Sequence, residues 1–368
     1  MDLESRKLIN DIKKKGKNEE TFSNNDKIQK PPHLYFPAIA YINILIIPIV
    51  IIIFVIKKFN FNKKKDVQKD LAYYQNIQNS FCENIRSEYN KEIEDDLILY
   101  NISFNGTDFD MFIFKSGNYL SEQLKKKKSI QKEGTLNMLN ALKYYADKYD
   151  YENDDIMIID MGANIGWYTI LFGLFKYSVL AFEPYEDNYY VLKKNYCRNN
   201  RDFFGSETTI TIVNNALYTK QTKCGYYQDL KTSRKNMVVC DLSKEDNFDI
   251  DYMRMALVNS TKLSDFIPLI NHKRITLLRI DLEFEAEKAI KSGRELVTLY
   301  HVPYIFIEFN SFLFTVYESK IEDYLRFFII NGYQISLNGF LTKEFISIED
   351  FLKKKIKKIN LYLVYIGL

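Results

Sequence analysis

Asp160, Gly162, Gly166 and Glu183 are the residues of this chain whose types and spacing point most directly to chemistry. Two glycines four positions apart, just after an aspartate, let the backbone turn sharply and approach a ligand. A carboxylate about 20 residues further on is placed to accept ribose hydroxyls. Such a set needs a strand before it, a helix after it and a second strand to carry the acid. Residues 156–159 are a short apolar, mostly β-branched run, as expected of a strand covered on both faces. Residues 167–175 are apolar enough to pack as a helix, and residues 178–182 form a second short strand ending at Glu183-Pro184. This is the geometry of a nucleotide-like cofactor site. A dinucleotide fingerprint beginning at Gly162 needs glycines at 164 and 167, where the chain has Asn164 and Trp167. A pyrophosphate therefore lacks its usual seat, and an NAD(P)-dependent oxidoreductase is the weaker reading.

The run Asp160-Met161-Gly162-Ala163-Asn164-Ile165-Gly166-Trp167-Tyr168-Thr169, with Phe182-Glu183-Pro184, resembles motifs I and II of class I S-adenosylmethionine (SAM) methyltransferases. More narrowly it resembles the FkbM family of O-methyltransferases. Val213-Asn214-Asn215-Ala216-Leu217, Thr261-Lys262-Leu263-Ser264-Asp265, Leu278-Arg279-Ile280-Asp281-Leu282-Glu283 and Ile305-Phe306-Ile307-Glu308 extend the likeness, which runs from about Leu97 to the C-terminus. The resemblance implies an α/β fold with a doubly wound, mostly parallel seven-stranded sheet. It also implies SAM as cofactor, held by Asp160, Gly162, Asn164, Gly166, Glu183, Asn215 and Ala216, and a hydroxyl-bearing acceptor such as a glycan or small molecule. One departure stands out: the family's Asp-Val-Glu-Gly-x-Glu is here Asp281-Leu282-Glu283-Phe284-Glu285-Ala286. Phe284 replaces the glycine and Ala286 the second acid, with Glu285 and Glu287 displaced by one position to either side. A methyltransferase-like binding protein without turnover is the alternative that this departure raises.

Methyl transfer from a sulfonium is an in-line displacement, so positioning supplies much of the acceleration, and a base that takes the hydroxyl proton adds to it. Asp281 and Glu283, at the carboxyl end of the fourth core strand, are read as the catalytic pair, with Asp281 as base or acceptor-orienting group. The competing use of Asp281 is as a helix cap. His272, His301 and Glu308 are the reserve candidates. Cys82, Cys197, Cys224 and Cys240 have no C-x-x-C spacing and no histidine cluster beside them, so no metal is expected and structural thiols are the favoured reading. A Cys224 to Cys240 disulfide is the alternative in a lumenal domain.

The elements that position these residues divide the chain. Residues 1–33 read as a polar, disordered tail. Residues 34–56 carry no formal charge and exceed the roughly 20 residues that span a bilayer, so a transmembrane helix is predicted there. Residues 57–96 read as a charged stem and residues 97–368 as the catalytic domain. Within that domain a hairpin turns at Asn105-Gly106, a helix covers 134–148, and core strands follow at 209–214, 276–281 and 304–308. A terminal antiparallel pair is expected at 334–337 and 360–366, after an amphipathic helix at 318–331. Residues 219–255 read as a polar insertion near the active-site rim, and Lys125 to Lys128 as a solvated run. A net charge of +3 gives no global field for nucleic acid. Lysines 57, 58, 63, 64, 65 and 69 favour a cytosolic domain, whereas the basic tail before the anchor favours a type II, endomembrane (Golgi or ER) arrangement, which is preferred. In a lumenal domain Asn101, Asn105 and Asn259 stand in glycosylation sequons, with Asn105 the most accessible.

Overall fold

The computed structural model describes residues 82, 91–203, 208–229, 236–243, 252–270, 273–282, 285–311 and 321–367, all within the compact unit Asn62–Leu368. The expected tail, transmembrane segment 34–56 and nearly all of the stem lie outside the described residues. Among the described residues no helix is long and apolar enough to cross a membrane.

The domain opens with a hairpin of β1 (Leu97–Phe104) and β2 (Thr107–Phe114). Asn105 and Gly106 both have positive φ, 51° and 79°, as a two-residue type I′ turn requires. Helices α1 (Tyr119–Lys127) and α2 (Lys132–Tyr149) follow and lead into β3 (Ile156–Met161), every residue of which is buried. Then come α3 (Trp167–Leu174), β4 (Ser178–Phe182), α4 (Glu186–Phe203) and β5 (Ile210–Val213). Trp167 is fully buried, with Phe104 edge-on at 5.4 Å and Phe109 at 5.9 Å. Asn195 of α4 accepts from Phe112 N at 2.6 Å and donates to Ile165 O at 2.8 Å. The hairpin thus clamps the start of α3, and through it the glycine turn.

The second half contributes β10 (Arg274–Ile280), α5 (Ala286–Ser292), β11 (Tyr304–Asn310), α6 (Ile321–Ile330), β12 (Tyr333–Ser336), α7 (Ile348–Lys353) and β13 (Lys358–Tyr365). The seven-stranded sheet has the order β12-β13-β11-β10-β3-β4-β5. Strands β11, β10, β3, β4 and β5 run parallel, and β13 is antiparallel to both its neighbours. The sheet is therefore mixed. The expected terminal antiparallel pair is present as β12 and β13 at one edge, with the reversed strand β13 one position inside and β12 at the border. The reversal at β3, flanked by β10 on one side and β4 on the other, opens a crevice at the carboxyl ends of the strands, where such sheets bind ligands.

Residues 219–255 are less polar inside than their composition suggests. Strands β6 (Ala216–Leu217), β7 (Lys223–Asp229), β8 (Asn236–Val239) and β9 (Tyr252–Thr261) form a separate sheet of order β6-β9-β7-β8. Cys224, Tyr226, Cys240 and Val258 give it a small core of its own. The cysteine reading is corrected as well. Cys224 is bonded to Cys240, with Cα atoms 4.0 Å apart, and Cys82 to Cys197 across 115 residues, so the four are disulfides rather than thiols.

Candidate active site

Gly162 and Gly166 shape the turn after β3 in two different ways. Gly162 has φ of +90°, and a Cβ there would stand 2.3 Å from the Asp281 carbonyl oxygen, so only glycine lets β3 and β10 end this close together. A Cβ on Gly166, at φ +95°, would meet Leu192 Cδ1 at 2.4 Å, so this glycine lets α3 start against α4. The turn is fastened to the second strand by Gly162 N and Ala163 N, which donate to Phe182 O at 3.0 and 2.9 Å.

Glu183, at the tip of β4, is buried and holds the loop above it. Its Oε2 accepts from Asn164 N at 2.8 Å, and its Oε1 accepts from Tyr185 N at 3.0 Å and Asn188 Nδ2 at 3.3 Å. A carboxylate offers about four acceptor positions, so Oε2 keeps room for one hydroxyl, and the long Asn188 contact is the one that a second hydroxyl would displace. Burial pushes the Glu183 carboxyl up to about 7, against the opposing pull of its hydrogen bonds from Tyr185, Asn164 and Asn188. Hydroxyl donors would favour its ionised form.

A cavity of about 390 Å³ runs along the crevice. Gly162, Asn164, Glu183, Asn188, Asn215 and Ala216 line one part of it, and Asp281, Leu282, Glu285 and Glu308 line another. Five of the seven expected cofactor residues therefore face one space: Gly162, Asn164, Glu183, Asn215 and Ala216. Asp160 and Gly166 do not line it. Asp160 is fully buried below, where it accepts from Thr169 Oγ1 at 2.7 Å and Arg279 at 2.8 Å. Its place is that of a positioning residue under the turn, and Gly166 serves helix packing.

Arg279 is the main residue that the sequence reading gave no role. Its side chain is 1% exposed and touches three carboxylates: Asp160 at 2.8 Å, Asp281 at 2.6 Å and Glu308 at 2.8 Å. It also donates to Gly162 O at 3.1 Å and lies 4.0 Å above the Tyr168 ring. One guanidinium thus ties the glycine turn, β10 and β11 together. Burial raises the Asp281 carboxyl to about 7, and neighbouring Glu308 adds to this, while Arg279 and Lys358 oppose it. Glu283, Phe284 and His272 lie outside the described residues. His301 does not line the cavity and is stacked on Tyr365 with ring centroids 4.5 Å apart. Glu285 lines the cavity and accepts from Cys240 N at 2.9 Å, so the displaced acid still faces the site.

Two walls come from a segment the sequence reading took as solvated, 125–128, and from the insertion 219–255 that it set at the active-site rim. Helix α1 supplies Tyr119, Leu120, Gln123 and Lys127, so the run 125–128 is not wholly a solvated surface. Asn118 caps this helix by accepting from Ser121 N at 2.9 Å, and its amide donates to Asn164 Oδ1 at 3.0 Å. An asparagine before an amphipathic helix is a legible cap, but its reach to Asn164, 46 residues on, is not. The β7–β8 unit supplies Tyr226, Asn236, Met237 and Val238, with Tyr226 stacked on Tyr185 at 4.2 Å. Among the described residues no three histidine, cysteine or acidic side chains come together as a metal site.

The family Methyltransferase FkbM domain matches residues 160–335. Among solved structures, Methyltransferase FkbM from Methylobacillus flagellatus KT is 17% identical, with a TM-score of 0.34 over 67% of this chain and 54% of that one. The chain thus spans about half the length of that structure. TYW2 of M. jannaschii in complex with AdoMet is 13% identical, with a TM-score of 0.31 over 73% of this chain and 85% of that one. The N-terminal domain of human METTL16 in complex with SAH is also 13% identical, with a TM-score of 0.30 over 77% and 94% of the two chains. No curated protein matches the chain.

Proposed function

We propose that this chain, whose residues 160–335 match the Methyltransferase FkbM domain, is a membrane-anchored, SAM-dependent O-methyltransferase acting on a hydroxyl of a sugar or glycoconjugate. The observation that carries the reading is one continuous cavity that joins the Gly162, Glu183 and Asn215 surface to Asp281 and Glu308. The residues fit the cofactor: the glycine turn leaves backbone exposed to a ligand, and Glu183 has an acceptor position to offer a ribose. When bound, SAM supplies an activated methyl group. The chain's own residues have three tasks. Glu183, Asn215 and Ala216 hold the nucleoside part, Gly162 and Asn164 keep the turn open, and Asp281 orients the acceptor hydroxyl and takes its proton.

The anchor at 34–56 and the type II, lumenal orientation belong to the same proposal. The two disulfides support it, because such bonds persist in oxidising compartments. A lumenal domain would meet glycans directly. Glu285 on the cavity wall also favours turnover over a binding protein without activity, since an acid faces the site despite Ala286. Calorimetry on the full chain in detergent tests the reading: SAM is expected to bind, whereas NAD(P) is not. Tight binding of a nicotinamide cofactor without SAM binding would overturn it.

A further inference from the structure

Arg279 carries one positive charge and faces three carboxylates. Asp160, fully buried on β3, takes one end of the guanidinium, and Asp281 and Glu308 share the other end, both on the same nitrogen. The Asp281 side chain is 27% exposed and that of Glu308 9%, and both line the cavity. Among the described residues, Lys358 from β13 also faces Asp281, and the Tyr168 ring from α3 lies beneath the guanidinium. Two carboxyl groups held on one guanidinium nitrogen, whose charge Asp160 already balances, do not both ionise easily. One proton between them is the arrangement of lowest cost.

We propose that Asp281 and Glu308, pinned by Arg279, act as one proton-sharing dyad that receives the acceptor's hydroxyl proton and sets its single negative charge against the sulfonium of SAM. The proposal rests on the methyltransferase reading above and adds Glu308 as a catalytic partner. In the step, the hydroxyl oxygen forms a bond to the methyl carbon, the carbon–sulfur bond breaks with its electron pair left on sulfur, and the hydroxyl proton moves to the dyad. Before transfer the site holds one positive sulfonium and one negative dyad. Afterwards it holds a neutral thioether and a neutral, doubly protonated dyad. No net charge is created or separated in a cavity of low dielectric, where separation is costly. Arg279 keeps both carboxyl groups on one nitrogen and is a positioning residue.

The test needs no acceptor. Calorimetry in buffers of different ionisation enthalpy counts the protons released when the full chain binds SAM and when it binds S-adenosylhomocysteine (SAH), which has the same ribose but no sulfonium. Release linked to Glu183 is common to both ligands. Release from the dyad is specific to SAM, because only the sulfonium drives the neutral, doubly protonated pair to the singly negative one that keeps its shared proton. The parent chain is expected to release more protons with SAM than with SAH, and the excess is expected to vanish in both Asp281→Asn and Glu308→Gln. Equal release by the parent, or an excess that survives Glu308→Gln, would overturn the dyad while leaving the methyltransferase reading intact. Failure of the parent to bind either ligand would overturn both. The comparison within the parent chain does not depend on how well the variants fold, and SAH binding by each variant reports that its cofactor site is formed.

Discussion

At the scale of single residues, Glu183 is the proposed ligand contact and Arg279 the group that holds the site in place. Glu183→Ala is expected to cost about 1.5–3 kcal/mol of SAM affinity, the scale of a hydrogen bond to a charged group, as read by calorimetry. Because the Glu183 carboxyl is raised to about 7, it is ionised above that pH and protonated below it. A protonated carboxyl has lost acceptor capacity, so affinity for SAM and SAH alike is expected to fall as the pH drops from 8 to 6, and flat binding across that range would count against the ribose assignment. Asp281→Asn is expected to lower turnover by about 10² to 10⁴ with SAH affinity near that of the parent. Full activity in that variant would send the search for the base elsewhere. The contrast between Glu183 and Arg279 also shows what a sequence can reveal. Gly162 and Glu183 are legible because a positive φ and a strand tip are local properties, and their spacing is short. Arg279 is not, because its meaning depends on Asp160 and Glu308, which β3 and β11 bring to it, as well as on Asp281 two residues away.

At the scale of elements, the glycine turn depends on packing that lies well before it in the chain. The β1–β2 hairpin, readable from Asn105-Gly106 and the alternating residues around it, encloses Trp167 at the first position of α3. Trp167→Ala is expected to destabilise the domain by about 3–5 kcal/mol, measured by chemical denaturation, and to weaken SAM binding with it. A loss below about 1 kcal/mol would show that the hairpin does not hold the turn. The core strands follow from short apolar runs, but the position of β13 inside the sheet does not, since pairing order is a long-range property. The β7–β8 wall was legible in place, as an insertion at the rim, but not in its interior. Its polar composition conceals a core of Cys224, Tyr226 and Cys240, and only folding shows that Tyr226 and Met237 reach the cavity. The Cys224–Cys240 bond closes a separation of 16 residues, for which chain entropy gives roughly 3 kcal/mol. Replacing both cysteines with alanine is expected to lower stability by up to about that amount and to weaken ligand binding. An unchanged melting temperature and affinity would mean that the wall stands without its staple.

At the scale of the whole molecule, the proposed lumenal placement rests on two disulfides, the uncharged run at 34–56 and the sequons. In cells, Asn105, exposed at the hairpin tip, is expected to carry a glycan that a glycosidase removes, with a mobility shift absent from Asn105→Gln. Digestion of the domain by protease outside sealed microsomes would instead put it in the cytosol. The central claim is that the chain moves a methyl group from SAM to a hydroxyl, and it is tested most directly by incubating the full chain with methyl-labelled SAM and a glycoconjugate extract. Label is expected in the glycan fraction as a base-stable methyl ether, and it is expected to be lost in Asp281→Asn. Label that mild base releases as a methyl ester, or no transfer by a chain that binds SAM, would contradict the account.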